Sequence, residues 1–174
     1  LAKTKTGVAH CPSSNARLGS GIARIREMLD KGVPVGLAVD GSASNDSSDM
    51  LGEARQALML QRIKYGSHGI TAREVLSIAT KGGAQLLGYD ELGTLTEGAI
   101  ADLALFDVMK LEYAGALSDP VAALVFSGYN HGVDHLIVNG KSVVSGGRLV
   151  NADEETIRAN AEKAARRLYA VAGI

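Results

Sequence analysis

The sequence predicts an α/β fold followed by a small β domain and a closing helix. Three observations carry that prediction. The first forty residues read as strand, loop, helix and strand; the second strand, Val35 to Val39, delivers one carboxylate, Asp40, into a polar loop; and beyond Tyr89 the chain turns into short β runs divided by turns. A continuous apolar run flanked by Pro34 and Gly41 reads as a strand buried on both faces, the habit of parallel sheets.

Taken in order, Gly7 to His10 is a short apolar strand, and Cys11-Pro-Ser-Ser-Asn15 reads as a loop with turn-forming Pro and Asn. Ser20 is placed to cap a helix carrying Ile22, Ile25, Met28 and Leu29 at helical spacing, with Gly32 as its stop. Strand, helix and strand make a βαβ unit, which crosses over right-handed between parallel neighbours. After the loop from Asp40 to Asp49 a long helix is expected to Ile63, with Met50, Leu51, Ala54, Leu58 and Ile63 inward and Gly66 at its end. Thr71-Ala-Arg-Glu74 is a capping-box pattern. The helix it opens carries Val75, Ile78 and Ala79, is expected to break at Gly82-Gly83, and resumes through Leu86-Leu87.

Four β runs follow: Gly93 to Gly98, Asp102 to Phe106, and Val133 to Val138, joined through Asn139-Gly140 to the fourth, Lys141 to Val144. Asn-Gly between apolar runs is a strong hairpin signal, because both residues tolerate positive φ. Asp119-Pro120 opens a short apolar helix through Val125. From about Asn151 an amphipathic helix carries Ile157, Ala161, Ala164 and Leu168 on one face. The expected division is therefore 1–90, a 91–150 domain with an inserted helix, and 151–174.

Composition narrows the function classes. With 174 residues, 46% hydrophobic, and a net charge of −1, the chain can bury a core and shows no bias toward a charged partner. Its 18 Lys and Arg are scattered and aromatics are 4%, so neither a basic stripe nor a stacking platform for nucleic acid is visible. No apolar run reaches the ~18 residues of a membrane span, and a cytoplasmic location is expected. The single Cys11 permits no internal disulfide. Its neighbour His10 points to the opposite face of a strand, against a Cys–His catalytic pair. Leu1 stands where a methionine would open a gene product, and a strand follows almost at once, so a piece of a longer protein is expected.

Asp40 carries the chemistry, if the chain has any. At the end of a buried strand it either caps the following loop, accepting from Ser42 or Ala43 N–H groups, or serves as a metal ligand or general base. The four histidines form no ligand pair: His131 and His135 are four apart, but Gly132 and the following strand rule out a shared helical face, and His68 sits in a Ser-His-Gly turn. The glycines after Asp40 lack the G-x-G-x-x-G order of a pyrophosphate cradle. Only His10, Asn15 and Asp40 lie where a barrel would place its active site.

Those residues carry a resemblance. Val8-Ala-His-Cys-Pro-Ser-Ser-Asn15, Leu18-Gly-Ser-Gly-Ile22 and Val35-Gly-Leu-Ala-Val-Asp-Gly-Ser-Ala-Ser-Asn45 resemble the end of the barrel in the amidohydrolase superfamily, within its aminohydrolase branch and nearest its 8-oxoguanine deaminase and hydroxyatrazine ethylaminohydrolase group. Gly93-Thr-Leu-Thr-Glu-Gly-Ala-Ile-Ala-Asp-Leu-Ala-Leu-Phe-Asp107 and Val133-Asp-His-Leu-Ile-Val-Asn-Gly-Lys141 are similar to that family's closing β-sandwich. The resemblance implies the C-terminal part of a TIM-type (βα)8 barrel, its last two strands, then a β-sandwich and a C-terminal helix. It further implies that Asp40 binds or faces a catalytic divalent metal, usually zinc, and takes a proton from metal-bound water in removing an amino group from a purine-like or triazine-like ring.

Asn15 would then face that small heterocyclic substrate, His10, no metal ligand in the family pattern, would either line the pocket or pack, and the complete protein would be a homo-oligomer. The family's remaining ligands, a His-x-His pair and a further His, have no counterpart here, so the isolated chain is expected to be inactive. The alternatives are a non-catalytic assembly module, or dechlorination or cyclic-amide opening within the same superfamily.

Overall fold

The computed structural model describes residues 1–128 and 132–173, so His131 lies outside the described residues. The chain forms two compact units: Leu1–Ile100 with Val108–His131, and Ala101–Asp107 with Gly132–Ile174.

In the first unit β1 (Val8–His10) and β2 (Val35–Leu37) are parallel neighbours, with Val8 opposite Val35, Ala9 opposite Gly36 and His10 opposite Leu37. The parallel pairing agrees with the sequence pattern. The connection does not, because it holds two short helices, α1 (Pro12–Arg17) and α2 (Ile25–Asp30), instead of a loop and one helix. Pro12 occupies the first position of α1, where its fixed φ suits a helix start and its missing N–H costs nothing. Ser20 caps no helix: it stands between Gly19 and Gly21, whose φ values of 66° and 86° end one helix and delay the next.

Neither α1 nor α2 is capped by its own N-cap side chain. Both caps come from α3 (Met50–Tyr65), itself opened by Asp49, whose Oδ1 accepts from the Leu51 and Gly52 N–H groups at 3.0 Å. Leu51, Ala54 and Leu58 are buried as the periodicity predicts, whereas Met50 and Ile63 are exposed. Two polar residues, Glu53 and Gln61, take inward places instead. Gln61 Oε1 accepts from Arg26 N at 3.2 Å and its Nε2 donates to Ala23 O at 3.0 Å, which satisfies the first turn of α2.

The capping box opens α4 (Ala72–Ser77), with Thr71 Oγ1 accepting from Glu74 N and Glu74 accepting from Thr71 N. The chain does not break at Gly82-Gly83. It widens into a π-helical turn, Ile78–Gly82, and continues as α5 (Gly83–Leu87). These glycines serve close approach: a Cβ on Gly82 would stand 2.1 Å from the Val35 carbonyl oxygen, and one on Gly36 would stand 3.0 Å from Gly83 Cα. Helix backbone thus lies directly on β2. Around this contact Ile25, Val33, Val35, Leu37, Leu58, Ile70, Val75 and Val125 form the core, each larger side chain contributing about 1.5–3 kcal/mol by burial.

Val125 lies on α6 (Pro120–Phe126), capped by Asp119 and packed on α3 and α4, so this helix belongs to the first unit and not to the small β domain as expected. The run from Gly93 to Gly98 is turns, not a strand. Both end glycines adopt positive φ, and Gly93 lies so close to the Thr80–Lys81 backbone that a Cβ would meet Lys81 at 2.8 Å.

The second unit holds β3 (Leu103–Leu105), β4 (His135–Val138), β5 (Lys141–Ser145) and β6 (Arg148–Leu149), a four-stranded antiparallel sheet in that order. Among the described residues it is one sheet, not the two facing sheets of the expected sandwich. Asn139 and Gly140 link β4 to β5 with φ of 48° and 73°, as the hairpin signal requires. Gly146-Gly147 turns the chain again into β6, a strand too short to show in the sequence pattern. Asp153 caps α7 (Glu154–Ala172), which falls in the same unit as the sheet rather than apart from it. Its Ile157 and Leu168 are more than half exposed. No helix among the described residues is long and apolar enough to cross a membrane.

Candidate active site

Asp40 sits three residues beyond the carboxyl end of β2 at φ 67°, a conformation few non-glycine residues adopt and Asp tolerates better than most. Its exposed carboxylate is held on three sides. Oδ2 accepts from Ser14 Oγ at 2.6 Å and Ser44 Oγ at 3.0 Å, while Oδ1 accepts from Gly41 N at 2.8 Å. The donors differ from the Ser42 and Ala43 amides that a simple loop cap would use. Hydrogen bonds from Ser14, then Gly41, then Ser44 hold its pKa below the ordinary Asp value, because each favours the ionised form. Oδ2 has both lone-pair directions taken; Oδ1 keeps one for an incoming partner.

Ser14 reaches Asp40 because α1 begins directly after β1. The buried Glu53 fixes that helix start, its Oε2 accepting from Ser13 N at 3.0 Å while its Oε1 accepts from Asn45 Nδ2 at 2.8 Å. Asn45 in turn shapes its own loop, its Oδ1 accepting from Ser47 N, Ser47 Oγ and Ser48 N. Arg17 and Asp46 add an exposed ion pair across the same gap.

Asn15 lies half-buried on α1, one residue past Ser14. His10 ends β1, and its carbonyl accepts from Ala38 N at 2.9 Å, tying it to the approach to Asp40. Its ring is buried, its Nε2 has no hydrogen-bond partner, and burial lowers its pKa to about 4, so the imidazole is neutral. Cys11 has its thiol pushed up by burial, then by the Asp40 and Glu53 charges, the reverse of what a nucleophilic thiolate needs. The structure therefore joins Asp40 to Ser14 on α1. An open groove of about 390 Å³, lined by Val33, Pro34, Ile78, Lys81 and Gln85 among others, does not include Asp40.

Sequence reasoning missed Ser14, Ser44, Asn45 and Glu53. One signal was available: Glu53 and Gln61 stand four residues either side of buried Ala57, in phase with the apolar stripe of α3. Polar residues at such positions need specific partners.

The ionised, exposed carboxylate of Asp40 suits one ligand position of a divalent metal. Among the described residues no group of three or more His, Cys, Asp or Glu is arranged to hold one, whereas a catalytic zinc takes three protein ligands.

The amidohydrolase family pattern matches residues 1–143. Over 170 residues the chain is 45% identical to an 8-oxoguanine deaminase of Pseudomonas aeruginosa, covering 98% of this chain and 37% of that protein. A 5-methylthioadenosine/S-adenosylhomocysteine deaminase of Pelotomaculum thermopropionicum is 42% identical, with 97% and 39% covered. Among solved structures, a zinc complex of atrazine chlorohydrolase from Arthrobacter aurescens superposes with a TM-score of 0.87 at 38% identity, over 91% of this chain and 36% of that one. An adenosine deaminase from Xanthomonas campestris with bound zinc gives 0.89 at 30% identity, over 94% and 38%. The chain spans less than two-fifths of the length of each of these four proteins.

Proposed function

The chain belongs to the amidohydrolase family, and from that premise we propose that it supplies the Asp40 carboxylate to a hydrolase that removes an amino group from a purine-like or triazine-like ring. The observation that carries this reading is the state of Asp40, ionised, exposed and held by three donors at the end of a parallel strand. The deaminase relatives, and the zinc in two similar solved structures, support the reaction class and the metal. A divalent metal, zinc in this proposal, makes water acidic enough to deprotonate near neutral pH; its other ligands come from outside this chain.

The work of this chain's own residues is proton transfer and orientation. Ser14 and Ser44 on Oδ2 and Gly41 N on Oδ1 fix the orientation of the Asp40 carboxylate. Asp40 takes the water's proton as the new C–O bond forms at the ring carbon bearing the amino group and the C=N electron pair moves to the ring nitrogen. The C–N bond then breaks, the amino group leaving as ammonia with the proton from Asp40 while the water's second proton ends on the ring nitrogen. A carboxylate within hydrogen-bond reach of that proton is suited to the task. Asn15, next to Ser14 on α1, is assigned to contact with the heterocycle, and neutral His10, buried at the end of β1, to the pocket wall or to packing behind it. The likeness to an atrazine chlorohydrolase favours one second reading, in which the group displaced is chloride and the role of Asp40 is the same.

Asp40→Asn in the complete protein tests the assignment, because the amide keeps the shape and cannot accept the proton. Turnover is expected to fall at least about 100-fold, with an unchanged circular dichroism spectrum. A variant as active as the parent would end the general-base role.

A further inference from the structure

Glu53 is buried to 1% exposure on α3, and among the described residues no cation pairs with it. A buried carboxylate is costly unless its oxygens are satisfied. Here both are, by donors from two different segments: Ser13 N on α1 and Asn45 Nδ2 in the loop after β2. Those segments carry the two hydroxyls, Ser14 and Ser44, that meet on Asp40 Oδ2. We propose that Glu53 is the positioning residue for Asp40: by accepting from helix and loop at once it sets the gap across which Ser14 and Ser44 hold the carboxylate. Besides the Ser14–Asp40 bond itself, Arg17 and Asp46 also bridge that gap, but the pair is exposed and such pairs contribute little.

The hydrogen-bond polarity makes an acid necessary. A glutamine at position 53 offers one acceptor, so one of the two donors would face an amide N–H₂. Asn45 cannot turn over to help, since its Oδ1 already accepts from three donors of the 47–48 turn. Replacing Asn45 by aspartate at the same time restores the match: the new amide donates to the new carboxylate, its oxygen still accepts from Ser13 N, and the turn keeps its acceptor.

The proposal rests on Asp40 as the reacting group only for its effect on turnover. Glu53→Gln, Asn45→Asp and the double variant are made in the complete protein. Amide hydrogen exchange at Ser44 and Asn45, whose N–H groups bond Gly41 O, reports the Asp40 loop without reference to activity. Exchange there is expected to quicken in both single variants and to return toward the parent in the double. Turnover should follow it, kcat falling about 100-fold in Glu53→Gln with KM little changed and recovering most of that loss in the double. Unchanged exchange in Glu53→Gln overturns the proposal, as does a double variant that folds and is no better than the worse single. Should exchange behave as expected while Asp40→Asn keeps full turnover, the clamp stands and the catalytic reading of Asp40 fails. If Glu53→Gln does not fold, the double variant against Asn45→Asp alone decides.

Discussion

Two adjacent glycines should respond to the same substitution with opposite signs. Gly82 and Gly83 both have helical backbone angles, so alanine at either gains roughly 0.5–1 kcal/mol from reduced unfolded-chain freedom and helix propensity. At Gly83 a Cβ meets nothing within 4 Å, and that gain is the whole effect. At Gly82 the Cβ would stand 2.1 Å from the Val35 carbonyl oxygen, backbone that cannot swing aside like a side chain. Relief requires the π-helical turn to move off β2 by about 1 Å, an overpacking cost near the upper end of the usual range, about 3 kcal/mol. The net expectation is a loss of about 2 kcal/mol for Gly82→Ala and a difference of about 3 kcal/mol between the neighbours. Urea unfolding midpoints of the two variants, followed by far-ultraviolet circular dichroism, measure it. If both variants shift alike, or Gly82→Ala is neutral, helix backbone does not rest on β2 as described. Because β2 leads to Asp40, turnover in the complete protein should also fall in Gly82→Ala and hold in Gly83→Ala.

Burial keeps His10 neutral, with its pKa near 4 against an ordinary 6.5. The unfolded chain binds that proton first as pH falls. Stability is therefore full above pH 6.5 and declines as pH drops from 6.5 toward 4, by about 3 kcal/mol at most from this one group; urea midpoints across that range should show a slope that His10→Gln reduces, and an identical slope in the variant would refute it. Gln61→Leu leaves Ala23 O and Arg26 N without their partner and should cost about 2–4 kcal/mol of stability, since unsatisfied buried polar groups lose their full desolvation energy. A midpoint matching the parent would show that α2 is not capped from α3.

What the sequence determined by itself was local or periodic. The parallel pair around Asp40, the Thr71–Glu74 capping box and the Asn139-Gly140 hairpin follow from residue order, because an apolar run, a cap and a two-residue turn each complete their hydrogen bonds within a few residues. The family resemblance also rested on contiguous runs near Asp40. Tertiary structure decided whatever depended on a distant partner. Ser20 looked like a cap, yet the helix starts of α1 and α2 are satisfied by Glu53 and Gln61, 40 and 35 residues from the amides they accept. Gly82-Gly83 looked like a helix break, and in isolation glycine does weaken helices. Here the missing side chains let helix backbone settle on Val35 and Gly36, and that packing outweighs the propensity. Asp40 itself was legible as a residue. Its state was not, for one of the two hydroxyls on Oδ2 comes from Ser14 on α1, 26 residues away, and only the fold brings it to the same oxygen as Ser44.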